Sequence, residues 1–447
     1  MWCCEAKGGR SLTSWAQRHH GAGVVAGTLL LLLAYLLLSQ HFAITGPGGD
    51  IVATEGRRKQ LTRAPGETEE DDVVSGTGGP FSDTCEVDGD VRVNGTALSV
   101  AVVPTSLSEP WERRIRPYAR MNVSGVREVT VAQLRDPAAA PPCAVTHGEP
   151  AVLFALGGYT GNFWHDFTDV LVPLFVASRR YGGEVVFLIS GANPWWLGKY
   201  ATLLRRLSRH DAVDLDGDAR VRCFPRATVG LRVHREFTIV PELAPGGRRL
   251  SMADFTAFLR EAYALPRAAP ARKKPRLLLI HRGNYRRLVN EQEVARAAEA
   301  AGFEVAVMEP GAGGARMEEV ARAVNSFDAL VGMHGAGLTN AVFLPRGAVL
   351  VQVVPYGRLE RMARREFGEP AADMGLRYLE YSASAAESTL LEMLGPEHPA
   401  IRDPLAVHRQ GWDKVAEYYL GKQDVRIDVA RFAPTLAQAM DHLRRRR

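Results

Sequence analysis

A histidine and an aspartate stand four residues apart, His165 and Asp169, at the end of the segment GGYTGNFWHDFTD, residues 157–169. On a helix these two side chains share one face. An imidazole is the natural general base near pH 7, and a carboxylate one turn away can orient it and stabilise its charge. Asp169 as the base itself is the alternative. Without catalysis, Asp166 and Asp169 would complement the dipole of a helix N-terminus, and His165 would make a core hydrogen bond.

A second segment, HGAGLTN at residues 334–340, is built for close approach of an anion. Its glycines lack side chains, so backbone N–H groups can reach the anion, and the helix that follows adds the positive end of its dipole. The segment suits a diphosphate but differs from the dinucleotide-binding fingerprint. A tight turn without a ligand is the alternative. The candidate anion-binding residues are His334, Gly335, Ala336, Gly337, Thr339 and Asn340.

Three arginines follow a hydrophobic run in the segment HRGNYRR, residues 281–287. The planar guanidinium of arginine matches phosphate oxygens with two parallel donors. Arg282, Arg286 and Arg287 are therefore further candidates for an anion site. A solvated basic turn is the alternative, and the spacing does not decide which side chains point inward.

A run of aspartates, Asp214-Leu-Asp216-Gly-Asp218, offers a possible metal site. Paired carboxylates can hold a divalent cation that bridges a diphosphate. The run lacks the glycine and glutamate positions of an EF-hand loop, and Asp-Gly is a strong turn signal. A turn is the favoured interpretation.

These segments require a scaffold that presents several loops at one edge. Strand-like runs alternate with helical stretches, which is typical of a parallel sheet covered by helices. Strands are predicted at 151–156, 184–190, 227–233, 276–281, 303–308, 328–333 and 348–354. Helices are predicted at 163–181, 195–209, 252–263, 317–326, 337–344, 412–419 and 434–443, with another that opens on a capping box of Asn290 and Glu293 and ends at Gly302. Because ligands bind at the carboxyl ends of parallel strands, the three loops are expected to line one cleft.

The N-terminal region predicts a membrane-anchored chain. Residues 21–39 are uncharged and apolar, and as a helix they would span about 28 Å, the thickness of one hydrocarbon core. Basic residues precede this run, which places residues 1–20 in the cytosol and the remainder in the lumen. An uncleaved signal anchor is favoured over a cleaved secretory signal. Residues 40–80 are expected to form a flexible stem, followed by α/β domains at 81–265 and 276–443, the latter with returning C-terminal helices.

The lumenal cysteines and sequons agree with this topology. Asn94 and Asn122 head two glycosylation sequons. Cys85, Cys143 and Cys223 allow one intramolecular bridge and leave one thiol, but the sequence does not decide which pair forms. The spacing of these cysteines gives no structural zinc motif.

Composition excludes several classes of protein. A chain of 447 residues with 46% hydrophobic residues is neither a disordered polymer nor a small disulfide-stapled scaffold. The net charge of +5 is concentrated in the four arginines at 444–447, so the body is nearly neutral. It lacks the broad basic face of a nucleic-acid-binding protein.

The segments GGYTGNFWHDFTDVLVPLF and HRGNYRR, followed by VGMHGAGLTNAVFLP and VQVVPYG, together resemble glycosyltransferase family 61, in particular the grass branch that includes xylan arabinosyltransferases and xylosyltransferases. The resemblance covers about residues 81–443. It implies a type II Golgi membrane protein with a lumenal body of the GT-B type, in which two Rossmann-like domains face a cleft. It also implies inverting transfer from a UDP-sugar co-substrate. Enzymes of this type often need no bound metal, and no tightly bound cofactor is expected.

Matched motif by motif, the resemblance assigns Arg282, Arg286 and residues 334–340 to the donor nucleotide, and His165 with Asp169 to the acceptor side. The expected function is transfer of arabinofuranose or xylose onto xylan side chains. Two alternatives remain. One is a metal-dependent GT-A-type transferase that uses Asp214 and Asp216. The other is a non-catalytic lumenal protein that binds nucleotide or glycan.

Overall fold

The computed structural model describes residues 75–76, 83–121, 123–247, 249–266, 274–309 and 314–446. Asp71–Arg447 forms one compact unit. In these described segments no helix has the length and apolar character needed to cross a bilayer. The predicted cytosolic tail and anchor, nearly all of the predicted stem and Asn122 lie outside the described residues, so these assignments stay predictions.

The first sheet is mixed and has ten strands. Its main path runs β4-β5-β3-β2-β10-β7-β8-β9, with β1 paired to β2 and β6 to β10. Strands β7 to β10 form a parallel part, whereas β2 is antiparallel to both β10 and β3. Every residue of β7 and β8 is buried, which is typical of strands covered on both faces. The strands are β1 (Ser75–Gly76), β2 (Cys85–Asn94), β3 (Ser99–Val103), β4 (Trp111–Ile115), β5 (Val129–Gln133), β6 (Val145–Thr146), β7 (Ala151–Ala155), β8 (Val186–Ser190), β9 (Val213–Asp214) and β10 (Val221–Val229).

The second sheet has five strands, all parallel, in the order β12-β11-β13-β14-β15. This order places the topological switch point between β11 and β13, where doubly wound sheets open a crevice for ligands. The arginine segment follows β11 and the glycine segment follows β13, so both border that crevice. The strands are β11 (Arg276–Ile280), β12 (Glu304–Met308), β13 (Ala329–Met333), β14 (Val349–Val354) and β15 (Arg377–Ser382).

Helices cover both sheets. The α-helices are α1 (Phe163–His165), α2 (Val172–Ser178), α3 (Pro194–Lys199), α4 (Ala201–Leu207), α5 (Met252–Ala262), α6 (Glu291–Ala300), α7 (Met317–Asn325), α8 (Glu360–Ala363), α9 (Glu369–Asp373), α10 (Thr389–Leu394), α11 (Pro399–Arg402), α12 (Pro404–Arg409), α13 (Trp412–Val415) and α14 (Val429–Arg445). Three segments are π-helical: Asp166–Leu171, Arg364–Gly368 and Ala416–Lys422. Short 3₁₀ turns include Pro137–Ala139, Arg179–Tyr181, Pro241–Leu243, Ala336–Phe343 and Ala385–Glu387.

One apolar core runs from the first sheet to the second through a layer of helices. Phe154 of β7 and Leu330 of β13 belong to the same buried cluster. Phe167, in the π-helical segment, makes edge-to-face contacts with Phe255 of α5 and with Phe343 at the end of the 3₁₀ helix. The segment that carries His165 and Asp169 is therefore fixed by packing against elements of both halves. The predicted domain division at 81–265 and 276–443 stays a prediction.

The α/β fold class is confirmed, but parts of the predicted strand pattern are wrong. The strand predicted at 227–233 instead spans Val221–Val229, and the strands between residues 85 and 133, as well as β15, were not predicted. The expected capping box is also absent. The Asn290 side chain does not cap α6, because its amide bonds to the backbone of Ile427 through both Nδ2 and Oδ1.

The disulfide joins Cys143 to Cys223, with 5.8 Å between the Cα atoms. Cys85 is a free thiol buried in the core of the first sheet. Asn94, the first predicted glycosylation site, ends β2, and its Oδ1 accepts a hydrogen bond from the Thr96 hydroxyl.

Candidate active site

The three chemical segments line two adjoining cavities. The Lys199 cavity, about 750 Å³, is bordered by α3, by Arg282 and by the start of the 3₁₀ helix. The His165 cavity, about 820 Å³, is bordered by His165, Arg286 and His334. Ala336 lines both cavities, so they meet at the N-terminal end of that helix.

His165 and Asp169 form the contact that their spacing predicts. Nδ1 of His165 lies 2.8 Å from Oδ2 of Asp169. Because a carboxylate accepts, Nδ1 carries the proton, and Nε2 keeps its lone pair on a ring that lines the His165 cavity. The ring of Tyr159 stacks on the imidazole, with 4.5 Å between ring centroids. His165 and Asp169 lie in the short helix and the π-helical turn that follow β7. π-Helical turns are frequent at functional sites.

Asp169 is fully buried and accepts from two further donors. The Tyr118 hydroxyl donates to Oδ2 at 2.8 Å, and Arg120 Nε donates to Oδ1 at 2.8 Å. Burial and the neighbouring Asp169 charge raise the pKa of Tyr118, which keeps its proton. The other end of Arg120 makes two hydrogen bonds to Glu236, at 3.0 and 2.7 Å. With its oxygens engaged inside the protein, Asp169 is placed to orient His165, while His165 is the group that faces the cavity.

Asp166 has a different environment from Asp169. Its carboxylate accepts from Gly161 N, Trp196 Nε1 and Tyr200 Oη, at 2.7, 2.9 and 2.8 Å. It also pairs with Lys199 Nζ at 3.2 Å. Asp166 therefore ties the loop after β7 to α3 and lies in a network separate from that of His165.

Two of the three predicted arginines converge on Gly335. A Cβ atom at Gly335 would lie 2.9 Å from Nη1 of Arg282 and 3.2 Å from Nη1 of Arg286. Gly335 also has a φ of 138°, which favours glycine. Arg286 itself adopts a positive φ of 59° and donates to the His334 carbonyl at 3.2 Å. A side chain at position 335 would fill the space where the guanidinium groups meet.

Neither arginine has a carboxylate partner within the described part of the chain, and the buried Nε of Arg286 makes no hydrogen bond there. Burial, together with the charge of Arg282, lowers the pKa of Arg286 to about 10, so it remains a cation at neutral pH. Two partly buried cations without an ion-pair partner, beside N–H groups at a helix start, have the chemistry needed to hold a multiply charged anion.

Arg287, the third predicted donor-binding arginine, lies apart from Arg282 and Arg286. Its backbone N and guanidinium all donate to Asp424, at 2.7 to 2.9 Å. It is exposed and lines neither cavity. Its role is to attach the arginine loop to the C-terminal part of the chain.

Thr339 and Asn340 belong to the buried part of the glycine segment. Both side chains are buried, and Thr339 Oγ1 and Asn340 Oδ1 have no hydrogen-bond partner among the described residues. Asn340 lines the Lys199 cavity, whereas Thr339 lines neither cavity. Gly337 packs closely, since a Cβ there would lie 3.1 Å from Cγ2 of Ile280 and would require that side chain to shift.

His334 is neutral and lies beside Glu366, a glutamate that was not predicted from the sequence. Burial and the charges of Arg286 and Arg282 lower the pKa of His334 to about 3. Gln352 Nε2 donates to its Nδ1 at 2.8 Å, so Nε2 carries the proton, 3.6 Å from Glu366 Oε2. Glu366 lines the His165 cavity, and burial together with the charge of Glu236 raises its pKa to about 8. Glu366 comes from the segment after α8, where no local pattern in the sequence singled it out.

The aspartate run forms a turn, as favoured from the sequence. Asp216 accepts from Gly191 N at 2.7 Å and pairs with Arg127. Asp218 accepts from Arg222 Nε at 2.6 Å. Asp214 accepts from the backbone of Asp216 and lines neither the Lys199 cavity nor the His165 cavity. The carboxylates thus stabilise the end of β8 and the turn before β10.

The raised pKa of Glu366 gives a pH-dependent difference in stability. The folded protein keeps this carboxyl protonated up to about pH 8, whereas the unfolded chain loses the proton near pH 4.5. Stability from this group is therefore complete below pH 4.5 and is lost as the pH rises to 8. Relative to the Glu366→Gln variant, we expect wild type to lose about 2–3 kcal/mol of unfolding free energy between pH 6 and pH 9. Urea denaturation at both pH values measures this, and a constant gap would contradict it.

Comparison with known proteins adds independent evidence. The family model described as glycosyltransferase 61 matches residues 163–351. Beta-1,2-xylosyltransferase XYXT1 of Oryza sativa subsp. japonica is 45% identical over 392 residues, covering 81% of this chain and 83% of the relative. Alpha-1,3-arabinosyltransferase XAT3 of the same organism is 43% identical and covers 81% and 64%.

A third relative covers a similar share of the chain. Xylan glycosyltransferase MUCI21 of Arabidopsis thaliana is 32% identical over 385 residues, covering 80% of this chain and 77% of the relative. The residues matched by the family model, 163–351, include the motifs that surround the two cavities. The chain belongs to glycosyltransferase family 61 and is a glycosyltransferase.

Proposed function

We propose that this enzyme transfers a pentose, arabinofuranose or xylose, from a UDP-sugar onto the side chains of xylan, with inversion at the anomeric carbon. The relatives described above are named as xylosyl- and arabinosyltransferases and as a xylan glycosyltransferase, which supports a pentose donor and a xylan acceptor. The proposal includes a GT-B-type arrangement of two Rossmann-like halves.

The single observation that carries the proposal is the convergence of Arg282 and Arg286 on Gly335, where two cavities meet. A nucleotide in the Lys199 cavity would place its diphosphate at these guanidinium groups. The sugar would then project toward the His165 cavity, where the acceptor binds. The backbone N–H groups at the start of the 3₁₀ helix and the unpartnered Nε of Arg286 can donate to phosphate oxygens, whereas the unpartnered Oδ1 of Asn340 can accept from a hydroxyl of the donor.

In this arrangement the reaction is one in-line displacement. His165 Nε2 takes the proton of an acceptor hydroxyl as its oxygen attacks the anomeric carbon. The bond from that carbon to the phosphate oxygen breaks, and UDP leaves with the electron pair. Asp169 holds the imidazole in the correct tautomer and stabilises the imidazolium that forms. The charge that develops on UDP is stabilised by Arg282, Arg286 and the helix N–H groups.

We also propose that no divalent metal is required. Arg282 and Arg286 supply positive charge where a metal would otherwise bridge the phosphates. Asp214 and Asp216 are engaged in their own turn, as described above. The lumenal orientation in the Golgi, the type II anchor and glycosylation at Asn94 and Asn122 remain part of the proposal.

Product analysis tests the proposed reaction directly. The purified protein is incubated with xylo-oligosaccharide and either UDP-arabinofuranose or UDP-xylose, with and without EDTA. We expect one pentose to be added, with a turnover that EDTA changes by less than about twofold, because arginine stabilises the leaving group. Products are identified by mass spectrometry and linkage analysis. Activity that requires manganese would contradict the metal-free mechanism, and no product from either donor would contradict the proposed function.

Removal of the base tests the role of His165. The His165→Ala variant is expected to lower kcat by about 10²- to 10⁴-fold with a smaller change in the KM for donor, since general base catalysis contributes that range. His210, which pairs with Glu184 outside both cavities, offers a matched control as His210→Ala. Steady-state kinetics measure both variants. Equal, small effects in the two would assign His165 a structural role.

Two neighbouring arginines provide a test of donor binding. Arg286→Gln is expected to lower kcat/KM for the UDP-sugar by about 10- to 100-fold, because it removes charged hydrogen bonds to the diphosphate. Arg287→Gln, which breaks an exposed pair with Asp424, should change it by less than about threefold. UDP binding by calorimetry should follow the same order. The reverse order would place the diphosphate elsewhere.

A further inference from the structure

Three arginines form a basic rim on the far side of the His165 cavity. Arg358, Arg361 and Arg365, here called the arginine rim, line that cavity together with His165. They also line a neighbouring cavity of about 700 Å³, which is bordered by five arginines and two glutamates. The rim therefore extends from the candidate acceptor site along the surface.

The rim arginines are uncompensated. Their neighbours in the second cavity have partners: Arg235 lies 4.0 Å from Glu369, and Arg364 lies 3.5 Å from Glu380. Within the described part of the chain, no ion pair and no side-chain hydrogen bond is made by Arg358, Arg361 or Arg365. All three are exposed. Their charge is thus available to a ligand.

The local structure concentrates this charge at some cost. Arg361 on α8 and Arg365 on the following π-helical segment are four residues apart, a spacing at which like charges destabilise a helix. Arg358 lies in the turn after β14 with a positive φ of 62°, a conformation that is unfavourable for a non-glycine residue. Two carboxyls are close in sequence: Glu360 lines the second cavity beside the rim, whereas Glu366 is predominantly neutral below pH 8 and so offsets little of the charge. An anionic ligand would relieve the repulsion among these arginines.

Aromatic side chains accompany the rim. Trp412 and Tyr159 line the same cavity and are 58% and 53% exposed. Exposed aromatic faces suit the apolar faces of sugar rings, whereas guanidinium groups suit carboxylates. The phosphates of the donor already have Arg282 and Arg286 at Gly335. A charged polysaccharide that runs out of the His165 cavity fits the rim better than a second nucleotide does.

We propose that the arginine rim binds the carboxylates of uronic acid substituents on the acceptor, so that the preferred acceptor is an acidic rather than a neutral xylan. This inference rests on the proposed function, because it assigns the acceptor to the His165 cavity. It names the substrate class of that site and adds a set of specificity-determining residues to it.

The experiment compares two xylo-oligosaccharides of equal length, one neutral and one that carries a single glucuronic acid residue. The ratio of their kcat/KM values is measured for the wild-type enzyme and for the triple variant Arg358→Gln, Arg361→Gln, Arg365→Gln. For wild type we expect a ratio of about five in favour of the acidic acceptor, since exposed ion pairs contribute modestly. The ratio should fall toward one in 0.5 M salt and in the triple variant.

A matched control is Arg402→Gln, because Arg402 is an exposed arginine outside both cavities that pairs with Glu397. This variant should keep the wild-type ratio. A ratio near one for wild type, or a ratio that survives in the triple variant, would overturn the inference while transfer to the neutral acceptor still supports the proposed function. A defect confined to the KM for UDP-sugar would assign the rim to the donor instead. Failure of wild type to use either acceptor would overturn both proposals.

Discussion

The buried carboxylate of Asp169 is the constraint on which the candidate site depends. A charged group that is buried away from water must be stabilised by hydrogen bonds and by opposite charge. Tyr118, Arg120 and His165 supply them, and Arg120 in turn requires Glu236. These contacts connect the loop before β5, the π-helical turn after β7 and the segment after β10. The position and tautomer of His165 are therefore set by groups that have no direct part in proton transfer.

The anion site depends on backbone geometry more than on side-chain identity. The second sheet brings the ends of β11 and β13 to the same edge, so the arginine and glycine segments must meet. Gly335 then keeps open the space at which Arg282 and Arg286 converge. Neither arginine has a carboxylate partner among the described residues, so positive charge is concentrated where they converge between the Lys199 and His165 cavities. This arrangement of charge and backbone suits an anionic ligand.

Local patterns in the sequence predicted those features that depend on local geometry. The His165–Asp169 pair follows from helical spacing, and the meeting of the loops after β11 and β13 follows from parallel strands. Arg287 could not be distinguished from Arg286, because the choice depends on Asp424, more than a hundred residues away. Arg120, Glu236 and Glu366 were missed for the same reason. The strands between residues 85 and 133 contain many polar and charged residues, as in CEVDGDVRVN of β2, so their hydrophobic alternation gave a weak signal. Asn290 and Glu293 have the residue types and spacing of a capping box. The Asn290 side chain instead bonds to the backbone of Ile427, a contact between residues far apart in the sequence.

The shared core around Phe167 has a consequence for how substrates enter and leave. A hinge that separated the two sheets would expose the contacts of Phe167 with Phe255 and Phe343, and apolar area costs about 25 cal/mol per Å² when it meets water. Wide opening and closing of two rigid halves is therefore disfavoured in each catalytic cycle. Movement at the site is then left to short exposed segments such as the loop around Tyr159, whose ring stacks on His165 at the wall of the His165 cavity.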